Sequence, residues 1–521
     1  MLPRLSGIAS MDHHRQKVSG TPSAQLAATG SSSGQSREKI SGTTPAPSVQ
    51  FAVAGSSAGQ PQSARWPMYN HPPDDPDDTD QQHDSDARNT TYPAELYTLD
   101  EFLAKEDLLD SFAEEIAVEL KGTLEALQAR ALSRSGPRIY VNRPREEAHQ
   151  QLVRDYFCDN PLYGAKKFRR RFRMRRLLFL RIVNALGEWS PYFTTRIDAL
   201  NREGLSPLQK CTAAIRQLAY GTPADSLDEY LKIGETTAVD CLKNFVQGVI
   251  DTYAAEYLRS PNTEDTECLL CIGEGRGFPG MLGSLDCMHW RWEKCPIAWK
   301  GQFTRGDKGW PSLILEAVAS RDLRIWHAYF GIAGSNNDIN VLNQSPLFIK
   351  QLKGQAPQVN FFVNDKEYQH GYYLVDGIYP EWAAFVKTIS MPQTEKHKLF
   401  AAHQEGARKD VERAFGVLQG RFSILRRPAR LYDRGDIQKV MIACIILHNM
   451  VVEDEEEAVA NILNLNKEVG TSIVLPSVFT HGDIPVFAQV LQRDARIRDR
   501  GTHRALKTDL VEHIWKKFGS R

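Results

Sequence analysis

The spacing of apolar residues divides the chain into segments of different character. Residues 1–92 are rich in Ser, Gly, Ala, Pro, Gln and Asp and have almost no periodic apolar positions, so they cannot offset the entropy of ordering. We expect a disordered tail there. Over residues 93–135, apolar side chains recur at helical intervals among Glu and Lys. This pattern predicts an amphipathic helix that packs on the body or binds a partner.

Residues 136–272 are predicted to be mostly helical. Ser206 followed by proline is typical of a capped helix start, and Gly221 ends that helix. A short second helix fits residues 224–233, and a third helix follows a glycine turn. The order of these helices resembles a helix-turn-helix, whose last helix would contact DNA. Packing without DNA contact is the favoured alternative, because Lys243 is the only basic residue of the third helix.

One stretch of this helical region is strongly basic. Residues 166–181 contain nine Lys and Arg and no acidic residue, while Phe168, Phe172 and Phe179 repeat at helical intervals. This pattern predicts a helix with one core face and one basic face. The basic face is either simply solvated or used for phosphate contact or nuclear import. The phosphate-contact candidates are Arg169, Arg170, Arg171 and Arg173.

The periodicity becomes strand-like in residues 273–452. The predicted order is three strands, a helix, a strand and a second helix, at residues 281–292, 312–319, 325–331, 337–353, 371–377 and 407–422. The first three strands are expected to form an antiparallel meander. This order matches an RNase H-like fold, so we predict a mixed α/β (α+β) protein with an RNase H-like catalytic domain after a helical one. Residues 453–521 are predicted to be an acidic linker and a helical tail.

Three acidic residues lie within these elements. Asp286 is in the middle of an apolar strand, Asp376 ends a strand, and Glu412 lies beside the apolar stripe of the last helix, where it can face the sheet. A buried carboxylate is costly unless it is paired or bound to metal. Phosphodiester cleavage uses two Mg²⁺ or Mn²⁺ ions about 3.5–4 Å apart. The sequence therefore predicts that these acids hold two such ions, with Asp338 as a rival second ligand that is more often a helix cap.

Other polar and aromatic residues near these elements have less specific roles. Arg421, Arg426 and Arg427 follow the Glu412 helix and are candidates for nucleic-acid backbone contacts or for a solvated loop. His289 and the nearby Trp290, Trp292 and Trp299 are expected mainly in the core. The Cys268 and Cys271 pair has no second pair at zinc-finger spacing and is interpreted as two ordinary helix cysteines.

Charge and hydropathy argue against a membrane-spanning protein but do not indicate whether the protein binds nucleic acid. The 64 basic and 64 acidic residues balance, so whole-chain charge gives no argument for nucleic acid. No stretch approaches the roughly 18 uninterrupted apolar residues of a membrane span, and eight scattered cysteines suit reduced thiols. We expect a soluble, intracellular protein with no membrane partner.

Several strings resemble the DDE nuclease of PIF/Harbinger transposons, in its plant form. They include GSLDCMHW, GSNNDINVLNQSPLF, YYLVDGIYPEWAAFVKTI and KDVERAFGVLQGRFSILRRPARLYD, and similarity extends from about Gly136 to the C-terminus. The resemblance implies that Asp286, Asp376 and Glu412 form the catalytic triad. It implies cleavage at terminal inverted repeats, joining of the ends to target DNA, and a Myb-like DNA-binding partner.

Two interpretations of this resemblance remain open. The first is an active nuclear transposase that binds DNA and, since paired DNA ends usually require at least a dimer, self-associates. The alternative is a domesticated derivative that binds DNA or chromatin proteins and no longer cuts. Intact acids do not by themselves separate the two.

Overall fold

The computed structural model describes residues 114–125, 127, 141–199, 201–460, 473–475 and 486–519. These residues all fall within one compact unit. The predicted tail at 1–92 lies outside the described residues. A helix is predicted at 93–135, and the described residues 114–125 and 127 of this range are helical. Their apolar side chains, such as Ile116 and Leu120, are exposed rather than packed on the body of the protein.

A helical region precedes the sheet, as predicted. Its helices are α1 (Arg145–Tyr156), α2 (Ala165–Phe172), α3 (Arg176–Trp189), α4 (Pro207–Tyr220), α5 (Asp228–Leu231), α6 (Glu235–Tyr257) and α7 (Thr263–Gly275). The apolar face of the basic stretch is buried at Phe168, Phe172 and Phe179, as predicted. The stretch forms two helices, however, because the chain turns at Arg173 in the left-handed conformation with φ of 65°.

The three consecutive helices α4, α5 and α6 confirm the predicted order. Ser206 accepts from the Gln209 backbone N–H in a capping box, and Gly221 ends α4 with φ of 61°. Helix α6 extends to Tyr257 and packs along the central helix α13 (Arg434–Ala460). The one basic side chain of α6, Lys243, forms an ion pair with Asp436 at 2.7 Å within the protein.

A five-stranded mixed sheet forms the centre of the second half. Its strands are β1 (Met281–Arg291), β2 (Ser312–Ala319), β3 (Ile325–Ala333), β6 (Tyr372–Val375) and β7 (Phe385–Lys387), in the order β3-β2-β1-β6-β7. The first three pair antiparallel, which confirms the predicted meander. Strand β6 pairs parallel to β1 and β7 pairs parallel to β6. A smaller sheet contains β4 (Gln358–Val363), β5 (Lys366–Tyr368) and β8 (Ile473–Leu475).

Two predicted helices differ in the structure. The remaining helices are α8 (Ile297–Phe303), α9 (Asp338–Gln344), α10 (Ile349–Leu352), α11 (Glu395–Arg408), α12 (Asp410–Arg421), α14 (Phe487–Ile497) and α15 (Arg500–Phe518). The single helix predicted at 337–353 is interrupted because Pro346 disfavours helical backbone at Ser345, whose ψ is 138°. The helix predicted at 407–422 begins at Asp410, after α11 ends at Arg408.

Helix α13 forms the central core. Its residues Ile445, Ile446 and Leu447 are fully buried. Its segment Arg434–Glu455 is apolar and long enough to cross a membrane by length and composition alone, and 72% of its apolar window is buried inside the protein. Burial of this kind is what the core helix of a globular domain shows.

Candidate functional site

Asp286 and Asp376 lie on neighbouring parallel strands. Ser284 on β1 is in register with Leu374 on β6. Two residues further along both strands, the same register brings Asp286 beside Asp376, because parallel strands lie about 4.8 Å apart and alternate faces together. The sheet therefore places the first two predicted acids side by side, although 89 residues separate them in the chain.

Burial and neighbouring negative charge govern the ionisation of Asp286. The side chain is 19% exposed, and desolvation raises the pKa of Asp286 to about 6. A backbone N–H from Cys287 and the charge of Arg408 oppose the rise, whereas the charges of Asp376 and Asp338 add to it. A half-buried carboxylate with two acidic neighbours is electrostatically unfavourable when it is charged. Binding of a cation would reduce this cost.

Asp338 also lies near Asp286 and Asp376, contrary to its favoured interpretation as a helix cap. The cap of α9 is Asn337, whose side chain accepts from the Asn340 backbone N–H at 2.8 Å. Desolvation raises the pKa of Asp338, the charge of Asp376 raises it further, and a hydrogen bond from Cys287 lowers it. We refer to Asp286, Asp338, Asp376 and Glu412 together as the acidic centre.

A guanidinium connects two members of the acidic centre. Arg408 Nη1 lies 2.8 Å from Glu412 Oε1 and 3.5 Å from Asp286 Oδ2. Arg408 is 17% exposed, whereas Glu412 is 44% exposed and reaches the sheet through this arginine rather than by pointing directly inward. Sequence reasoning missed Arg408, although its spacing of four residues before Glu412 is the signal that would have found it.

The start of α12, which carries Glu412, is fixed by a buried ion pair. The Asp410 side chain is fully buried and accepts hydrogen bonds from Arg276 and Arg413. Val411, Ala414 and Leu418 bury the predicted apolar stripe on the same side of the helix as Asp410. Glu412 is thereby held at the rim of the sheet.

The donor atoms of the acidic centre suit a hard divalent cation, because all of them are carboxylate oxygens. Within the described residues, no three His, Cys, Asp or Glu side chains converge closely enough to hold a metal ion in this conformation. Arg408 instead supplies the nearest positive charge. Metal binding by Asp286, Asp376 and Glu412 thus stays a prediction.

Four of the seven arginines predicted to contact nucleic acid line one surface cavity. Arg169, Arg170, Arg173 and Arg421 lie around a volume of about 950 Å³ between α2 and α12. We call this the basic cavity. Its complete lining is Ala165, Lys166, Arg169, Arg170, Arg173, Arg175, Arg176, Gly416, Val417, Gly420, Arg421 and Glu455.

The other three predicted arginines lie elsewhere. Arg171 packs over the Tyr163 ring, 4.0 Å from its centroid. Arg427 Nη1 donates to the Gly221 carbonyl at 3.0 Å, which ties the segment after α12 to the end of α4. Arg426 is exposed on a short 3-10 turn.

The remaining candidates mostly have structural roles. His289 is half-buried, contacts Ser312 Oγ at 3.0 Å, and burial lowers its pKa to about 4. Trp290 and Trp292 are buried, as predicted, whereas Trp299 is 45% exposed. Cys268 and Cys271 lie in α7, in agreement with their interpretation as helix cysteines.

Comparison with known proteins identifies the second half of the chain. Residues 255–459 match the profile described as plant transposon protein, and residues 149–187 match a domain of unknown function. An ALP1-like protein of Arabidopsis thaliana is 25% identical over 266 residues, which cover 49% of this chain and 63% of the relative. The Arabidopsis thaliana protein named antagonist of like heterochromatin protein 1 is 24% identical over 260 residues, covering 49% of this chain and 65% of the relative.

The match spans just under two thirds of each of these relatives. No solved structure matches the chain. The matched profile covers β1, β2, β3, β6 and β7 and the residues of the acidic centre, so the similarity to transposon-derived DDE nucleases lies in this part of the chain. Residues 255–459 are similar to the plant transposon protein family, which confirms the family resemblance seen in the sequence strings.

Proposed function

We propose that this protein is a domesticated transposase derivative that binds DNA in chromatin, with an acidic centre that Arg408 neutralises in the free protein. The observation that carries the proposal is the position of Arg408. Its guanidinium contacts Asp286 and Glu412, two of the three acids predicted to bind metal. A fixed side-chain cation therefore supplies part of the positive charge that a catalytic ion would bring.

Two further observations support this proposal. Seven basic side chains line the basic cavity against a single carboxylate, which favours a polyanion. One relative is named as an antagonist of like heterochromatin protein 1, a name that supports a role in chromatin. The sheet order β3-β2-β1-β6-β7, with an antiparallel meander followed by two parallel strands, supports an RNase H-like domain as the scaffold.

The proposal is tested by measuring binding and cleavage on the same samples. We expect the purified protein to bind duplex DNA, with affinity that falls steeply as salt rises. Incubation of the same complexes with Mg²⁺ or Mn²⁺ should leave the DNA uncut. Absence of binding at low salt would refute the DNA-binding role.

Metal-dependent DNA cleavage is the second candidate, and the surroundings of Asp286 favour it. The charges of Asp376 and Asp338 both act on Asp286, and all donors are oxygens. When bound, a divalent ion would act as a Lewis acid on a phosphodiester, held by Asp286, Asp376 and Glu412. Cleavage of terminal-repeat DNA that Asp286→Ala abolishes would establish this function and displace the first proposal.

The cellular setting and the assembly are also proposals. A chromatin role requires a nuclear location, which the basic stretch of α2 and α3 would support as an import signal. Joining of two DNA ends would require self-association and a Myb-like DNA-binding partner, as the family resemblance implies. Light scattering that gives a monomer with and without DNA would argue against self-association.

A further inference from the structure

The basic cavity has a dense positive charge and shares helix α12 with Glu412 of the acidic centre. Lys166, Arg169, Arg170, Arg173, Arg175, Arg176 and Arg421 line it. The buried Nε of Arg173 has no hydrogen-bond partner among the described residues. Positively charged side chains around a single concave surface raise the local concentration of anions, and they attract extended polyanions most strongly.

Two glycines of α12 line the basic cavity. Gly416 and Gly420 lie inside the helix, where glycine is less stabilising than alanine. A Cβ atom built at either position meets nothing within 4 Å, so packing inside the protein does not require glycine there. The missing side chains instead allow a ligand to approach the helix backbone closely.

These glycines lie on the same face of α12 as Glu412. The three residues are spaced by four positions, so they form one stripe along the helix. From Glu412 to Gly420 this stripe extends about 12 Å, at 1.5 Å per residue. A linear ligand lying over the glycines would therefore reach Glu412 and, through Arg408, Asp286.

Two carboxylates of α13 pair with arginines of the basic cavity in the free protein, and one of them, Glu455, lines the cavity. Asp454 pairs with Arg175, and Glu455 pairs with Arg169. Glu455 Oε2 also lies 3.6 Å from Arg421 Nη2. The Arg169 and Arg175 side chains are 58% and 43% exposed. Exposed pairs of this kind contribute little stability and are screened by salt, so a polyanion can displace them.

We propose that the basic cavity binds one phosphodiester backbone of a DNA duplex along the Gly416 and Gly420 stripe, in competition with Asp454 and Glu455. This inference rests on the proposed DNA-binding function and gives it a location. The arginines provide phosphate contacts that are independent of base sequence, and the glycines set the depth at which the backbone lies. The two carboxylates hold the arginines in place until DNA replaces them.

The experiment measures anisotropy of a short fluorescent duplex with the full chain at several salt concentrations. Leucine at 416 and 420 (Gly416→Leu with Gly420→Leu) should weaken binding about tenfold while leaving the unfolding temperature unchanged or higher, because leucine favours helix. The matched control is Gly406→Leu, an open glycine inside α11 that lies outside the cavity and should not alter affinity. Arg169→Ala with Arg176→Ala should lower the salt slope by about two.

Neutralising the competing acids tests the other half of the proposal. Asp454→Asn with Glu455→Gln should tighten binding about threefold to tenfold, because fewer intramolecular carboxylates compete with phosphate. Its control is Glu381→Gln, which removes the exposed partner of Arg504 elsewhere on the surface.

The outcomes separate this inference from the function it rests on. A wild-type protein that does not bind duplex refutes DNA binding itself. A wild-type protein that binds, with glycine and arginine variants that bind equally well, overturns the cavity assignment and leaves DNA binding intact. Displacement of the duplex by RNA or by polyglutamate at lower concentration than by unlabelled DNA assigns the cavity to those ligands and overturns the proposal.

Discussion

Arg408 and Glu412 form an ion pair across the junction of two helices, with Nη1 and Oε1 2.8 Å apart. Arg408 is the last residue of α11, and Glu412 lies in the first turn of α12. The same guanidinium reaches Asp286 on the central strand. One arginine thus links the helical rim of the acidic centre to the sheet.

Removing this guanidinium is expected to increase the affinity for divalent cations. In Arg408→Ala, Asp286 and Glu412 lose their positive neighbour, so Mn²⁺ should raise the unfolding temperature more than in the wild type. Mn²⁺ at 100 times its dissociation constant would add about 2.7 kcal/mol to the free energy of unfolding. Thermal unfolding with and without Mn²⁺ measures the difference.

The control is Lys398→Ala, which removes an exposed cation of α11 paired with Glu395. Its response to Mn²⁺ should match that of the wild type. Equal responses in Arg408→Ala and the wild type would contradict the view that Arg408 substitutes for a metal.

Asp286→Asn is expected to stabilise the metal-free protein at high pH. Burial raises the pKa of Asp286 to about 6, so the folded state holds a proton that the unfolded state has lost between about pH 4 and 6. The charged aspartate therefore lowers stability as pH rises through this window. Above pH 7 the amide should add about 1–3 kcal/mol to the free energy of unfolding, and near pH 4 almost nothing.

Urea unfolding at both pH values, with chelator present, measures this difference. Asp159→Asn, at an exposed bend, is the control and should change stability little at either pH. A stabilisation by Asp286→Asn that is equal at the two pH values would contradict the assigned ionisation.

Asp410→Ala is expected to be severely destabilising. The substitution leaves the Arg276 guanidinium, which is 20% exposed, without the buried carboxylate that accepts from it. Breaking a buried ion pair in this way costs about 3–5 kcal/mol. Denaturant unfolding measures the loss, and Glu293→Ala, which breaks the exposed pair with Arg430, should cost less than about 1 kcal/mol.

His448 is expected to make the protein sensitive to acid. Burial lowers its pKa to about 3, and its ring contacts Arg421 Nη1 at 3.0 Å and the Leu323 carbonyl at 2.8 Å. The unfolded state takes up a proton near pH 6.5, so stability is lost as pH falls from there toward 3. His448→Gln should reduce the slope between pH 4 and 6 by about 1.4 kcal/mol per pH unit.

Unfolding curves across that pH range test this prediction. Both proteins are compared at pH 7.5 first, so that any packing defect of the glutamine is separated from the loss of the titrating group. An unchanged slope would contradict the role of His448 in acid sensitivity.

Local patterns predicted the strands and caps well. The short apolar run SLILEAVA located β2 at residues 312–319, and Ser206 with proline located the start of α4. The same patterns did not locate the boundary between two helices where that boundary depends on one residue, as between α11 and α12. A continuous apolar stripe did not reveal that the chain turns at Lys409, whose ψ is 1°.

The roles of the charged residues were harder to predict. The sequence favoured Asp338 as a cap, because Asp at a helix start commonly caps, but the neighbouring Asn337 takes that role. Asp338 is then free to turn toward Asp376, which only the arrangement of α9 on the sheet reveals.

The sequence by itself determined the three-stranded meander, the capped start of α4, the buried apolar faces of these elements and the resemblance to a family, because these features depend on local periodicity and on ordered motifs. The tertiary structure alone decided which charges meet. Arg175 and Asp454 are 279 residues apart in the chain, and Asp286 and Arg408 are 122 apart. Contacts at such separations depend on how the elements pack, and no local pattern of residues encodes that packing.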